Sequence, residues 1–235
     1  MELTPELSTF SVLLIGFLLG LQHAVEADHL AAVSAIVSEK KNIFSASIIG
    51  GLWGVGHTIS LFLVGALVIF LKFQISETVA ARLEAIVGGM LVILGINALR
   101  KLYTAQEIHA HSHAHDGVRA HTHIHLHKDE LEENSHHSFS PRSIIIGMVH
   151  GLAGSAALML LVVPTIASPL LALLYILIFG VGSIGGMMLM SFLIGLPFHF
   201  TANNFVYMNK AIRLCAGIFS LGLGSFIIYE KLLQS

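Results

Sequence analysis

"LGLQHAVEADHLAAV", residues 19–33, places His23, Glu26, Asp28 and His29 within seven residues of an otherwise apolar stretch. Whether water or lipid surrounds that stretch decides the fold. Of the 235 residues, 55% are hydrophobic and only 11% charged, against about 25% charged in a soluble domain. A water-soluble core does not need so much apolar surface, so lipid is the expected solvent and the chain reads as an all-α polytopic membrane protein. The single cysteine, Cys215, excludes a disulfide framework within the chain and any multi-cysteine metal site. A net charge of −2 gives no reason to expect nucleic acid as a partner. The opening "MELTPELS" carries acids and no Lys or Arg, which makes it a poor signal peptide.

A crossing helix needs about 20 mostly apolar residues, and six such spans are expected. The first covers 6–37, with Thr4 as N-cap and Pro5 in the first turn. The second covers 43–71 and the third 77–103, the latter starting after Ser76. A polar stretch, 104–140, separates them from spans at 141–163, 169–196 and 206–232, the first two of these opened by Ser140-Pro141 and Ser168-Pro169.

The two sides of the polar stretch resemble each other. "GLQHAVEADHLAAV" from Gly20 aligns with "GMVHGLAGSAALML" from Gly147, which sets His23 over His150. "GVGHTISLFLVG" from Gly54 aligns with "GVGSIGGMMLMSFLIG" from Gly180, and "IVGGMLVILG" ending at Gly95 with "LCAGIFSLGLG" ending at Gly224. Residues 1–103 and 141–235 therefore read as two three-helix repeats. An odd number of spans per repeat inverts the second half, a design recurrent among transporters with the binding site where the halves meet. Lys40, Lys41, Arg100, Lys101, Arg119, Lys128, Arg142, Lys210 and Arg213 fall on one side of this layout, and only Lys72, Arg82 and Lys231 on the other. The positive-inside rule then puts the polar loop in the cytoplasm and both termini outside, in a plasma (inner) membrane.

Ionisable groups inside a span cost several kcal/mol unless paired, hydrated or metal-bound. On a straight helix turning about 100° per residue, His23, Glu26 and His29 share an arc, while Asp28 points roughly 100° away from His29. The four cannot meet at one small ion unless the helix unwinds locally or Asp28 supports a partner on another span, as carboxylates do behind metal-bound imidazoles. Imidazole with carboxylate suits borderline divalent ions such as nickel, cobalt, zinc or ferrous iron, and thiolates are absent from the cluster. The bland alternative, a hydrogen-bonded polar lock between helices, accounts less well for four such groups in seven residues.

"HAVEADHL" resembles the H-A-x-D-A-D-H-I signature of the nickel/cobalt transporter family, and "GLWGVGHTISL", with His57, resembles that family's second, Gly-His motif. Glu26 stands where the family usually has Asp, Leu30 where it has Ile, and many members have eight spans rather than six. The resemblance implies a secondary permease with His23, Glu26, Asp28, His29 and His57 handling nickel or cobalt as transported substrate rather than as cofactor. His150 joins them by its repeat alignment with His23. Helix packing alone also explains the small residues around His57 and His150.

The stretch 109–137 holds ten of the fifteen histidines: His109, His111, His113, His115, His121, His123, His125, His127, His136 and His137. It lacks a core-forming pattern and is expected to be disordered, or ordered only by metal. Neutral imidazoles bind first-row divalents, so the loop reads as a metal collector on the cytoplasmic side, where an intracellular metallochaperone is the fitting partner.

No phosphate-binding loop is present, and the chain is not expected to be an enzyme. Two rival readings stand beside transport. "AGSA", with Ser155, loosely resembles the serine motif of rhomboid-type intramembrane proteases. A membrane metal sensor would use the histidine loop without moving ions.

Overall fold

The computed structural model describes residues 9–38, 42–71, 76–104, 109–113, 121–125, 141–154, 166 and 168–233. Its helices are α1 (Thr9–His23), α2 (Ala27–Val37), α3 (Ile43–Leu71), α4 (Glu77–Thr104), α5 (Pro141–Gly154), α6 (Pro169–Asn204) and α7 (Val206–Leu233). Four of them, α3, α4, α6 and α7, are long and apolar enough to cross a membrane, and α1 with α2 makes a fifth if that bent pair is one span. The expected span over 141–163 is described only as far as Gly154, and Thr4 and Pro5 lie outside the described residues.

The starts of these helices follow from local chemistry. Ser76 Oγ accepts from the Val79 amide, and Ser168 Oγ from the Leu171 amide with Pro169 following, so each hydroxyl satisfies one orphan N–H. One helix runs on where the sequence predicted an end: α6 passes through Pro197 and closes only at Asn204.

The first expected span is not one helix. His23 ends α1, Val25 and Glu26 turn tightly onto the carbonyls of Gln22 and His23, and Glu26 adopts an extended backbone before α2 begins. The two axes differ by 53°. No proline or glycine makes this break. A basic side chain, His23, closes α1 while Glu26 and Asp28 open α2, which is the charge order that two separate helix dipoles favour.

The bundle is built inside out relative to a soluble protein. Phe10, Phe44, Phe70, Leu71, Leu170 and Phe226 are exposed on its outside, whereas glycine, alanine and serine fill the seams, as expected where helices associate through close packing in lipid. A side chain on Gly20 of α1 would strike the Phe179 carbonyl of α6, and one on Gly182 of α6 would strike that of Phe17. The α3–α5 seam repeats this: Gly147 lies on the Trp53 carbonyl and Gly56 on that of Ile144. Between α4 and α7, Gly88 meets Gly224 and Gly95 meets Gly217. Lys231 of α7 pairs with Glu84 of α4 at 2.8 Å.

Within the histidine loop, two short stretches are described. The backbones of β1 (His109–His113) and β2 (His121–His125) pair antiparallel, with His109 opposite His125, His111 opposite His123 and His113 opposite His121. Alternation of period two is compatible with a strand. His115, His127, His136 and His137 lie outside the described residues.

Candidate metal centre

The break between α1 and α2 positions the cluster. It aims the end of α1, with His23, and the start of α2, with Asp28 and His29, at the same interior point. His57 reaches that point from the middle of α3, and His150 from α5. All four imidazoles are buried. The His29 ring lies 4.4 Å from that of His23, 5.4 Å from His57 and 4.2 Å from His150, centroid to centroid. His23 and His57 are 5.1 Å apart, and His57 and His150 6.0 Å.

Asp28 is the hub of the carboxylate chemistry. Its Oδ1 accepts from the His29 backbone amide at 2.8 Å and lies 3.0 Å from His29 Nδ1, while Oδ2 is 3.2 Å from His150 Nε2. The alternatives of local unwinding and of Asp28 supporting a residue from another span therefore both occur. Glu26 is displaced to the rim, its side chain 47% exposed, with Oε1 2.8 Å from His23 Nδ1.

Seven buried ring nitrogens make no hydrogen bond: both of His23, His57 and His150, and Nε2 of His29. The short approaches of Glu26 to His23 and of Asp28 to His150 are ion-pair contacts without hydrogen-bond alignment. A buried polar atom left unpaired costs about 1–3 kcal/mol, and so many in one spot are a debt that a cation with nitrogen ligands would relieve. Two trios among the described residues bring ligand atoms within 4.8 Å of one another: His23, His29 and His57, and Asp28, His29 and His150. Ser155, the residue of the hydrolase reading, lies outside the described residues.

Sequence reasoning passed over Trp53. Its ring lies 5.2 Å from both His29 and His150, and its Nε1 is buried without a partner. The signal was present in "GLWGVGH": Trp53 precedes His57 by four residues and so shares its helix face. Phe179 of α6 similarly walls His23, at 5.5 Å.

These features define a class: a multi-pass helical membrane protein with a buried histidine cluster and its carboxylates at the meeting of five helices. The chain belongs to the family described as the cytochrome C biogenesis protein transmembrane region, whose model matches residues 30–224. It is 38% identical over 232 residues to the urease accessory protein UreH of Bacillus sp. (strain TB-90), covering 96% of this chain and 93% of that one. An 87-residue stretch, 36% of this chain, is 33% identical to 41% of a Methanocaldococcus jannaschii protein named as a candidate nickel/cobalt efflux system. It is also 26% identical over 218 residues to the Arabidopsis thaliana chloroplast protein FOR GROWTH AND FERTILITY 1, spanning 91% of this chain but 57% of the plant protein. No solved structure matches. At this level the relatives agree with the nickel/cobalt transporter type that the motifs suggested.

Proposed function

We propose that this protein is a secondary transporter for divalent first-row transition-metal ions, nickel and cobalt foremost, with His23, Asp28, His29, His57 and His150 handling the ion and Glu26 orienting His23. The observation that carries this reading is the set of buried imidazole nitrogens converging without hydrogen-bond partners. Nickel and cobalt are favoured over zinc and iron by the motif resemblance and by the name of the archaeal relative. Protons compete for the same nitrogens, because a ligating imidazole must be neutral.

The architecture proposed is six spans in two inverted halves. The reciprocity of the seams supports it: in the repeat alignment Gly20 corresponds to Gly147 and Phe179 to Trp53, and Gly20 packs on Phe179 as Gly147 packs on Trp53. Phe17 with Gly182 and Ile144 with Gly56 exchange in the same way.

Uptake is the preferred direction. An inside-negative potential draws a divalent ion inward with about 4.6 kcal/mol per 100 mV, twice the single-charge value, so import needs no second ion. The histidine loop, on the cytoplasmic side in this reading, collects ions that have crossed. Efflux is the second reading, favoured by the archaeal relative. The experiment is cell-associated nickel and cobalt, measured by mass spectrometry at low external metal, in cells expressing the intact chain or its His23→Ala form. A His23-dependent rise means import and a His23-dependent fall means export. No difference for either metal removes the transport reading.

A further inference from the structure

Resting on the transport reading above, we propose that the ion occupies two overlapping positions in turn, one formed by His23, His29 and His57 and the other by Asp28, His29 and His150, with His29 as the ligand common to both. Each trio alone offers three donor atoms within 4.8 Å of one another, so a shift of under about 1 Å closes it on an ion whose bonds to nitrogen are about 2.0–2.1 Å long. The His29 ring touches all three other imidazoles, whereas His57 and His150 stand 6.0 Å apart. Those two are held by α3 and α5, whose backbones are locked together where Gly56, Gly147 and Gly151 pack on the facing chain. His29 instead rides at the start of the short arm of a helix pair bent by 53°. It is the one ligand placed between the two others and in reach of both.

Both positions cannot be filled together. Two dications repel four times as strongly as two unit charges at the same distance, with little water between them to screen it. His29 would also have to give up both ring protons to ligate two ions. Charge then ranks the positions. The Asp28 trio contains a carboxylate, while the other is three imidazoles with Glu26 standing behind His23. A resting ion is therefore held by Asp28, His29 and His150, and passes to His23 and His57 on its way through. Conduction needs sites of this kind, where no single position holds the ion too firmly to leave.

The test uses the full-length chain in lipid nanodiscs, its ten loop histidines replaced by Ser, with cobalt(II) as probe. Metal analysis counts ions and the ligand-field absorption bands report the ligand set. The expected result is one cobalt per chain, with bands and stoichiometry unchanged in His57→Ala, although cobalt flux in proteoliposomes of that variant falls about tenfold or more. His150→Ala still binds one cobalt, with bands shifted to an all-nitrogen set, and His29→Ala binds none. His57→Gln, which keeps more of the side-chain volume, repeats the His57 arm should the alanine form fail to fold. Bands that shift on loss of His57 would mean one four-histidine position and overturn the proposal, as would two cobalt ions bound at once. Unchanged bands in both His57 variants without any flux in the parent chain would leave the two positions standing and remove the transport reading instead.

Discussion

His29 on α2 and His150 on α5 stand 4.2 Å apart and face the two oxygens of one carboxylate, Asp28 Oδ1 at 3.0 Å and Oδ2 at 3.2 Å. A single acid thus joins the two sides of the histidine loop, 122 residues apart in sequence for Asp28 and His150. Replacing it by Asn preserves its shape and removes its charge. Asp28→Asn is expected to lower nickel affinity by at least about 10–100-fold, the loss seen even for groups that only support metal-bound imidazoles. Equilibrium dialysis of the purified protein checks this, and parent-like affinity would show that the charge is not needed.

Trp53 is the chain's one tryptophan, and its indole lies 5.2 Å from two of the imidazoles. Its emission therefore reports on the site. Titration with nickel is expected to quench it with the same midpoint as binding followed by metal analysis, and His29→Ala is expected to abolish the quench. Quenching that survives in His29→Ala would place the bound metal elsewhere.

Gly56 and Gly89 make a matched pair for stability. A methyl group on Gly56 would run into the Ile144 carbonyl, whereas nothing lies within 4 Å of one on Gly89. Gly56→Ala is expected to destabilise the bundle by about 1–3 kcal/mol through overpacking. Gly89→Ala is expected to be neutral or stabilising by about 0.5–1 kcal/mol, because alanine loses less conformational freedom in a helix. Thermal unfolding of the two proteins in the same detergent compares them directly.

The histidine loop separates transport from sensing. With its ten histidines replaced by Ser, uptake is expected to slow at scarce nickel and to approach the parent rate when nickel is abundant, since the membrane cluster is intact. Loss of all metal response at every nickel concentration would favour the sensor reading.

Acid should empty the site. Protonated imidazole has no lone pair for a metal, so the sign is fixed: bound nickel declines as pH falls. Nickel retention after dialysis at each pH gives the curve, and retention that rises in acid would exclude imidazole ligands.

Much of this molecule was determined locally and so was legible in the chain. Apolar runs set the bounds of α3, α4 and α7, and Ser76, Ser168 and Pro169 marked helix starts, because a helix is specified by residues within a turn or two of one another. His23, Glu26, Asp28 and His29 announced a buried site for the same reason: their spacing conflicts with lipid whatever surrounds them. The break after His23 was half legible. Its signal, a base closing one helix and acids opening the next, lay inside a uniformly apolar pattern that hides helix ends. Only the tertiary structure decided which groups meet. The contact of Asp28 with His150, the convergence of His57, the Trp53 wall and the exile of Glu26 to the rim depend on how helices distant in sequence pack, through glycine seams whose partners no local pattern names.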